Sequence, residues 1–274
     1  MTDTDRTTDT DRPALAHRPA LPSDDRLAGR TALVTGSSSG LGEAIAHRLA
    51  SSGAHVLVHG RDRARTEAVA AAITGAGGTA SVLVADLGGT PDATRAVAAE
   101  ALRLLGGRID VLVNNAGVFP VGPTAELSDA DVDALLVTNI RVPHQLVGAV
   151  APGMAERGTG VIVNITSWMG RVGTAGTALY PATKAALDHL TRAWAAEYGA
   201  SGVRVVAVAP GATLTPGNEH ASAILDKMTA STPAGRPGRP DEIAQAVRWL
   251  ATDEASYVHG TTLLVDGGIV GARP

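Results

Sequence analysis

The sequence predicts an α/β domain: a doubly wound sheet of seven mostly parallel strands with helices on both faces. Short runs that are apolar at consecutive positions alternate with Ala-rich stretches long enough for helices, the pattern a parallel sheet with crossover helices requires. A glycine-rich loop follows the first such run. The length of 274 residues and 45% hydrophobic content fit one large core,.

Residues 1–25 stand outside that pattern. They are dominated by Thr, Asp, Arg and Pro, with Thr-Asp-Thr-Asp-Arg at 2–6 and again at 8–12. Such a stretch has too little apolar surface to offset the entropy of ordering, so a disordered tail is expected, with a partner-binding arm as the alternative. The folded domain is placed at 26–274. Its strands are expected at 31–34, 55–58, 81–84, 109–113, 161–165, 203–208 and 262–265,. Two long helices can be placed between them. One runs from Ser128, which with Asp131 forms a Ser-x-x-Asp cap, to about Met154,. The other spans 180–198, where Leu187, Leu190 and Trp194 fall at helical spacing as a core stripe,.

Composition narrows the function classes. A net charge of −4 with a pI near 6.0 gives no basic footprint for nucleic acid or an anionic membrane,. The absence of cysteine excludes disulfides, thiolate catalysis and cysteine-ligated zinc,. The eight histidines show no ligand-type pairing, so no metal is expected,. Neither a membrane-spanning apolar run nor a secretory apolar segment is found, which makes a cytoplasmic location the expectation,.

The loop after the first strand reads Thr35-Gly36-Ser37-Ser38-Ser39-Gly40-Leu41-Gly42. Glycine at these points permits positive φ and close approach of backbone to a pyrophosphate, and the following helix, expected from near Glu43, presents oriented N–H groups. A dinucleotide site is expected there. At the end of the second strand stands His59-Gly60-Arg61. NAD sites usually place a carboxylate there, which would repel a 2′-phosphate. Arg61 instead offers a planar pair of donors to such a phosphate, so NADP(H) is favoured over NAD(H), with Ser38 and Ser39 as further donors. An ordinary surface ion pair between Arg61 and Asp62 is the alternative reading.

The chemistry is expected between Ser167 and Lys184. Ser167 follows the buried run 160–165, so its hydroxyl emerges at the carboxyl end of a strand, the edge at which open α/β sheets bind ligands,. Tyr180 and Lys184 are spaced i, i+4, which places them on one helix face,. A free phenol titrates near pH ~10, and a neighbouring ammonium favours its ionised form, so Tyr180 is expected to exchange protons with help from Lys184. A bare Tyr-x-x-x-Lys is also what an exposed helix carries by chance. Asn139, at a mid-helix position where its amide competes for backbone hydrogen bonds, is a further candidate,.

Asn164-Ile165-Thr166-Ser167 followed thirteen residues later by Tyr180-x-x-x-Lys184, Gly36-x-x-x-Gly40-x-Gly42, Asn114-Asn115-Ala116-Gly117 and Pro210-Gly211-Ala212-Thr213-Leu214-Thr215 together resemble the short-chain dehydrogenase/reductase family. The resemblance covers about Leu27 to the C-terminus and includes the Rossmann-like fold. It implies that Ser167 and Tyr180 bind the substrate oxygen, that Lys184 also binds the nicotinamide ribose, and that Asn139 is the fourth catalytic residue, holding a water near Lys184. It further implies that Asp86 and Leu87 meet the adenine ring. Asn115, Ala116 and Gly117 line the cofactor, and Pro210, Gly211, Thr213 and Thr215 meet its carboxamide. Gly60 stands where NAD-binding members carry Asp, 214–232 forms a substrate lid, and a dimer or tetramer is expected.

The expected reaction is interconversion of a ketone or β-keto group and a secondary alcohol, most like 3-oxoacyl carrier-protein reductases. An NAD-linked secondary-alcohol or sugar-alcohol dehydrogenase is the alternative within enzymes, and a catalytically silent nucleotide sensor or scaffold the alternative outside them. A Ser-His-Asp hydrolase is not supported, because Ser167 lacks the Gly-x-Ser-x-Gly setting,. Phe119 and Trp168, scarce aromatics beside the two key segments, are assigned to the substrate mouth and suggest an apolar or ring-bearing substrate, unless they fill the gap under the lid,.

Overall fold

The computed structural model describes residues 24–272. The elements run β1 (Thr31–Val34), α1 (Gly40–Ala50), β2 (His55–Gly60), α2 (Arg63–Gly75), β3 (Thr79–Val84), α3 (Pro91–Leu104), β4 (Val111–Asn114) and α4 (Asp129–Leu136). They continue with α5 (Val142–Glu156), β5 (Gly160–Ile165), α6 (Leu179–Tyr198), β6 (Val203–Pro210), α7 (Ser222–Thr229), α8 (Pro240–Ala251) and β7 (Thr262–Val265). The tail expected at the N-terminus lies, up to residue 23, outside the described residues. Asp24 is already tied in, its amide donating to the Ser51 carbonyl at 3.0 Å.

All seven strands pair in parallel, in the order β3-β2-β1-β4-β5-β6-β7. The chain therefore winds outward from β1 to β3, then returns to place β4 on the other side of β1. That reversal opens a crevice at the carboxyl ends of β1 and β4, where ligands of open α/β sheets sit. Strand residues alternate between two cores. Val34, Val58, Val113, Val163 and Val206 pack with α1 and α8 on one face. Leu33, Leu57, Leu112, Ile162 and Val205 pack with α3, α5 and α6 on the other. Burial on both faces is why these strands read as continuous apolar runs rather than as alternation.

Helix starts follow local chemistry. Asp62, Thr90 and Ser128 each accept a hydrogen bond from the backbone N–H of the residue three positions on, capping α2, α3 and α4,. The helix expected from Ser128 to about Met154 is interrupted. Residues 137–141 form a π-helical turn centred on Asn139, and α5 continues beyond it to Glu156. Among the described residues no helix is long and apolar enough to cross a membrane.

Candidate active site

The glycine loop is held by side chains from the neighbouring strand ends. The Thr35 hydroxyl donates to the Val113 carbonyl at 3.2 Å and accepts from the Asn115 and Ala116 amides, both at 3.0 Å. The Asn115 side-chain Nδ2 donates to the carbonyls of Thr35 (2.8 Å) and Gly36 (3.1 Å), so β4 and the loop are joined on both sides. Gly36 has φ +64°, and a Cβ there would lie 2.9 Å from the Ala116 Cα. A Cβ on Gly42 would lie 2.3 Å from the Gly36 carbonyl oxygen, so the helix can seat this close only on a glycine,. The helix itself begins at Gly40, earlier than the sequence suggested, and Ser39 precedes it without spending its hydroxyl on a cap.

Beside the loop lies a cavity of about 590 Å³ lined by Ser38, Ser39, Arg61, Arg65, Asp86 and Leu87, and beyond them by Asn115, Ala116 and Gly117. Arg61 is exposed at its rim. The ion pair considered between Arg61 and Asp62 is not what forms. Asp62 instead caps α2 through the Arg65 amide at 3.0 Å and pairs with the Arg65 guanidinium at 3.1 Å. Any side chain at Gly60 is sterically opposed, since a Cβ would lie 2.5 Å from the Ser38 hydroxyl and 2.6 Å from that of Thr66. Asp86 accepts from the Gly88 amide at 2.9 Å, and Leu87 is 4% exposed. A cradle that excludes Cβ atoms, a helix N-terminus and a cationic rim fit a dinucleotide.

Ser167 and Tyr180 do not line that cavity; Gly117 is the link. A Cβ built on Gly117, which does line it, would lie 3.3 Å from Asn139 Oδ1 and 3.4 Å from Lys184 Nζ. Asn139 is 1% exposed. Its Oδ1 accepts from the Val118 amide (3.0 Å), and its Nδ2 donates to the Val118 carbonyl and the Thr183 hydroxyl, each at 3.1 Å. Thr183 in turn donates to the Tyr180 carbonyl at 2.7 Å, so the π-helical turn is connected to the start of α6. Ser167 accepts from the Met169 amide at 3.2 Å, and its hydroxyl favours the ionised form of the Tyr180 phenol.

One expectation needs correction here. Lys184 was expected to depress the Tyr180 pKa, but the phenol is pushed up, because burial penalises its ionised form more than the Ser167 hydrogen bond favours it,. The Lys184 ammonium stands 5.8 Å from the Tyr180 ring centroid and is anchored by donating to the Ile165 carbonyl at 3.0 Å. Its own pKa is lowered to about 8 by burial, against the opposing charge of Asp188. Burial is a property of the packed site, and the i, i+4 spacing carried no trace of it.

Phe119 meets Tyr180 edge-to-face, with centroids 4.3 Å apart and planes at 84°. Trp168 is half-buried and opens the short 3₁₀ turn directly after Ser167. Thr213 donates to the Gly211 carbonyl at 3.0 Å, while Gly211 is closed against Asp266, whose Cα would lie 2.6 Å from a Cβ there. Pro210 ends β6. The Thr215 side chain lies over Gly40, 3.8 Å from where a Cβ would stand, so the base of the 214–232 segment meets the glycine loop. The expected lid contains α7, with Ile224 63% and Met228 38% exposed. Sequence reasoning passed over Thr35, Ser37, His59, Asn164 and Thr183. All are buried or half-buried polar residues in or beside the quoted motifs, and buried polarity at a strand end is the signal that could have found them,.

Residues 36–270 match the family profile described as enoyl-(acyl carrier protein) reductase. The gluconate 5-dehydrogenase of Gluconobacter oxydans is 37% identical over 246 residues, covering 89% of this chain and 95% of that one. A solved structure described as a short chain dehydrogenase/reductase family protein is 46% identical with a TM-score of 0.83, covering 90% of this chain and all of the other. The crystal structure of a 3-oxoacyl (acyl-carrier-protein) reductase from Agrobacterium tumefaciens, with NADP bound, is 33% identical with a TM-score of 0.83, covering 88% and 95% of the two chains.

Proposed function

The chain belongs to the short-chain dehydrogenase/reductase family, oxidoreductases acting on CH–OH groups with NAD(P), and from there we propose that it is an NADP(H)-preferring reductase of ketones or β-keto groups, with Tyr180 as the general acid and base. The reading rests on one arrangement: Tyr180 and Lys184 one helical turn apart with the ammonium 5.8 Å from the phenol ring, Ser167 at the end of β5, and Gly117 leading from the dinucleotide cavity to Lys184 and Asn139. The bound cofactor supplies or takes up the hydride. Ser167 and Tyr180 hold the substrate oxygen, and Tyr180 passes its proton to that oxygen as negative charge develops there. Lys184, mostly charged at neutral pH and fixed on the Ile165 carbonyl, offsets part of the burial penalty on the phenolate left behind without reversing the upward shift,. Asn139 keeps Val118 and α6 in place around them.

A panel of ketones, β-ketoacyl thioesters and quinones, followed by loss of NADPH absorbance, identifies the substrate. With the best substrate, Tyr180→Phe is expected to lower kcat by at least about 100-fold while NADPH still binds. Full activity in that variant would remove Tyr180 as the acid.

The preference for NADP is supported by the closed position at Gly60 and by Arg61 at the cavity rim. Arg61→Ala should raise the KM for NADPH roughly tenfold and leave that for NADH nearly unchanged. An equal effect on both would defeat the assignment of Arg61 to the 2′-phosphate. The second reading, an NAD-linked sugar-alcohol dehydrogenase, is favoured by the similarity to gluconate 5-dehydrogenase. Oxidation of polyhydroxy acids with NAD at rates above those of ketone reduction would select it.

A further inference from the structure

His59 is buried at 3% exposure near the end of β2, on the wall of the dinucleotide cavity. It meets the glycine loop at several points. The Ser37 amide donates to the His59 carbonyl at 2.8 Å, and the His59 amide donates to the Ser37 hydroxyl at 2.9 Å. The Ser37 hydroxyl in turn donates to the Val34 carbonyl at 2.7 Å. These contacts use the backbone of residue 59 and would survive any substitution there. The remaining one uses the ring: the Gly36 amide donates to His59 Nδ1 at 3.1 Å.

That last bond fixes the chemistry of the imidazole. An acceptor Nδ1 carries a lone pair, so the proton of the neutral ring is on Nε2. Nε2 is buried and has no hydrogen-bond partner among the described residues. An apolar side chain would fill the same space without leaving such a nitrogen, so what the imidazole adds is on its other side, at Gly36. Gly36 is also where the loop turns through φ +64° against Ala116. Burial lowers the His59 pKa to about 4, outweighing the Ala85 backbone and the nearby Asp86 carboxylate, both of which favour the charged ring, so the ring remains an acceptor at neutral pH.

We infer that His59 is a positioning residue for the dinucleotide: its neutral ring accepts the Gly36 amide hydrogen and thereby holds the glycine loop in the shape that receives the cofactor. The inference needs a dinucleotide in the cavity but not a preference for NADP, because it concerns the loop and not the 2′-phosphate. Its effect should therefore be common to both cofactors.

The test compares His59→Leu, which fills the site without an acceptor, with His59→Asn, whose Oδ1 can take the place of Nδ1. Dissociation constants for NADPH and NADH are measured by fluorescence titration, alongside urea unfolding of the cofactor-free protein. His59→Leu is expected to weaken both cofactors by a similar factor of roughly ten. His59→Asn should bring both constants back to within about threefold. Parent-like dissociation constants in folded His59→Leu would overturn the inference even if its unfolding midpoint fell, since that pattern describes a packing residue only. An equally weak His59→Asn would overturn it too. Should His59→Leu fail to fold, His59→Ala enters the same comparison. A loss confined to NADPH would contradict this inference while leaving the Arg61 assignment standing.

Discussion

At Lys184 two forces act on one proton. Burial at 5% exposure favours the neutral amine, and Asp188, itself 5% exposed, favours the ammonium. The outcome is a pKa of about 8, so the group is mostly charged at neutral pH and loses that charge as pH rises past 8. Asp188 is anchored by the Thr262 hydroxyl at 2.9 Å and faces the Arg171 guanidinium at 3.7 Å. Asp188→Asn removes the carboxylate charge and keeps a side chain that can accept from Thr262. It should lower the Lys184 pKa further, so the alkaline fall in kcat/KM is expected near pH 8 in the parent and at lower pH in the variant. Superimposable pH profiles would show that Asp188 has no influence on the ammonium. The residue types and spacing of this pair were visible in the chain. The net downward shift of Lys184 was not, because desolvation depends on neighbours far away in sequence.

Helix α6 presents Tyr180, Lys184 and Asp188 at successive i+4 steps, one above another on the same face,. Opposite it, the π-helical turn at 137–141 lets Asn139 face away from the regular helix path, to the Val118 backbone and Thr183. An asparagine in mid-helix was a legible sign of local disturbance, since its amide competes with the backbone. Its partners were not legible, because Val118 and Thr183 come from other elements. Asn139→Ala leaves the half-buried Val118 amide and the buried Thr183 hydroxyl short of partners. It is expected to destabilise the fold by about 1–3 kcal/mol. The urea midpoint and kcat should fall together, and an unchanged midpoint would mean that water replaces the amide at no net cost.

At the scale of the whole molecule, packing ties the first described residues into the fold. Leu27 is fully buried in the core shared by β1, α1 and α8, and its amide donates to the Ser52 carbonyl at 2.7 Å. Asp24 pairs with Arg48 at 3.0 Å and Arg248 at 2.8 Å, joining the start of the domain to α1 and α8. Leu27→Ala should therefore cost about 2–5 kcal/mol, the range for a large-to-small change in a packed core. Chemical denaturation checks it, and a loss under about 1 kcal/mol would mean the site collapses around the smaller residue.

The sequence by itself determined where the strands lie and, through the family its motifs resemble, the reaction class. Strands buried on both faces are apolar at most positions, and the glycine loop, the Asn-Asn-Ala-Gly turn and the Ser, Tyr, Lys set are local patterns of residue type and spacing. Tertiary structure alone decided the strand order that brings β1 beside β4, the closure of Gly60 by Ser38 and Thr66, the ring of His59 beneath Gly36, and the upward shift of the Tyr180 phenol. These depend on which groups meet in space and how far water is removed from them, and no local pattern along the chain carries that information.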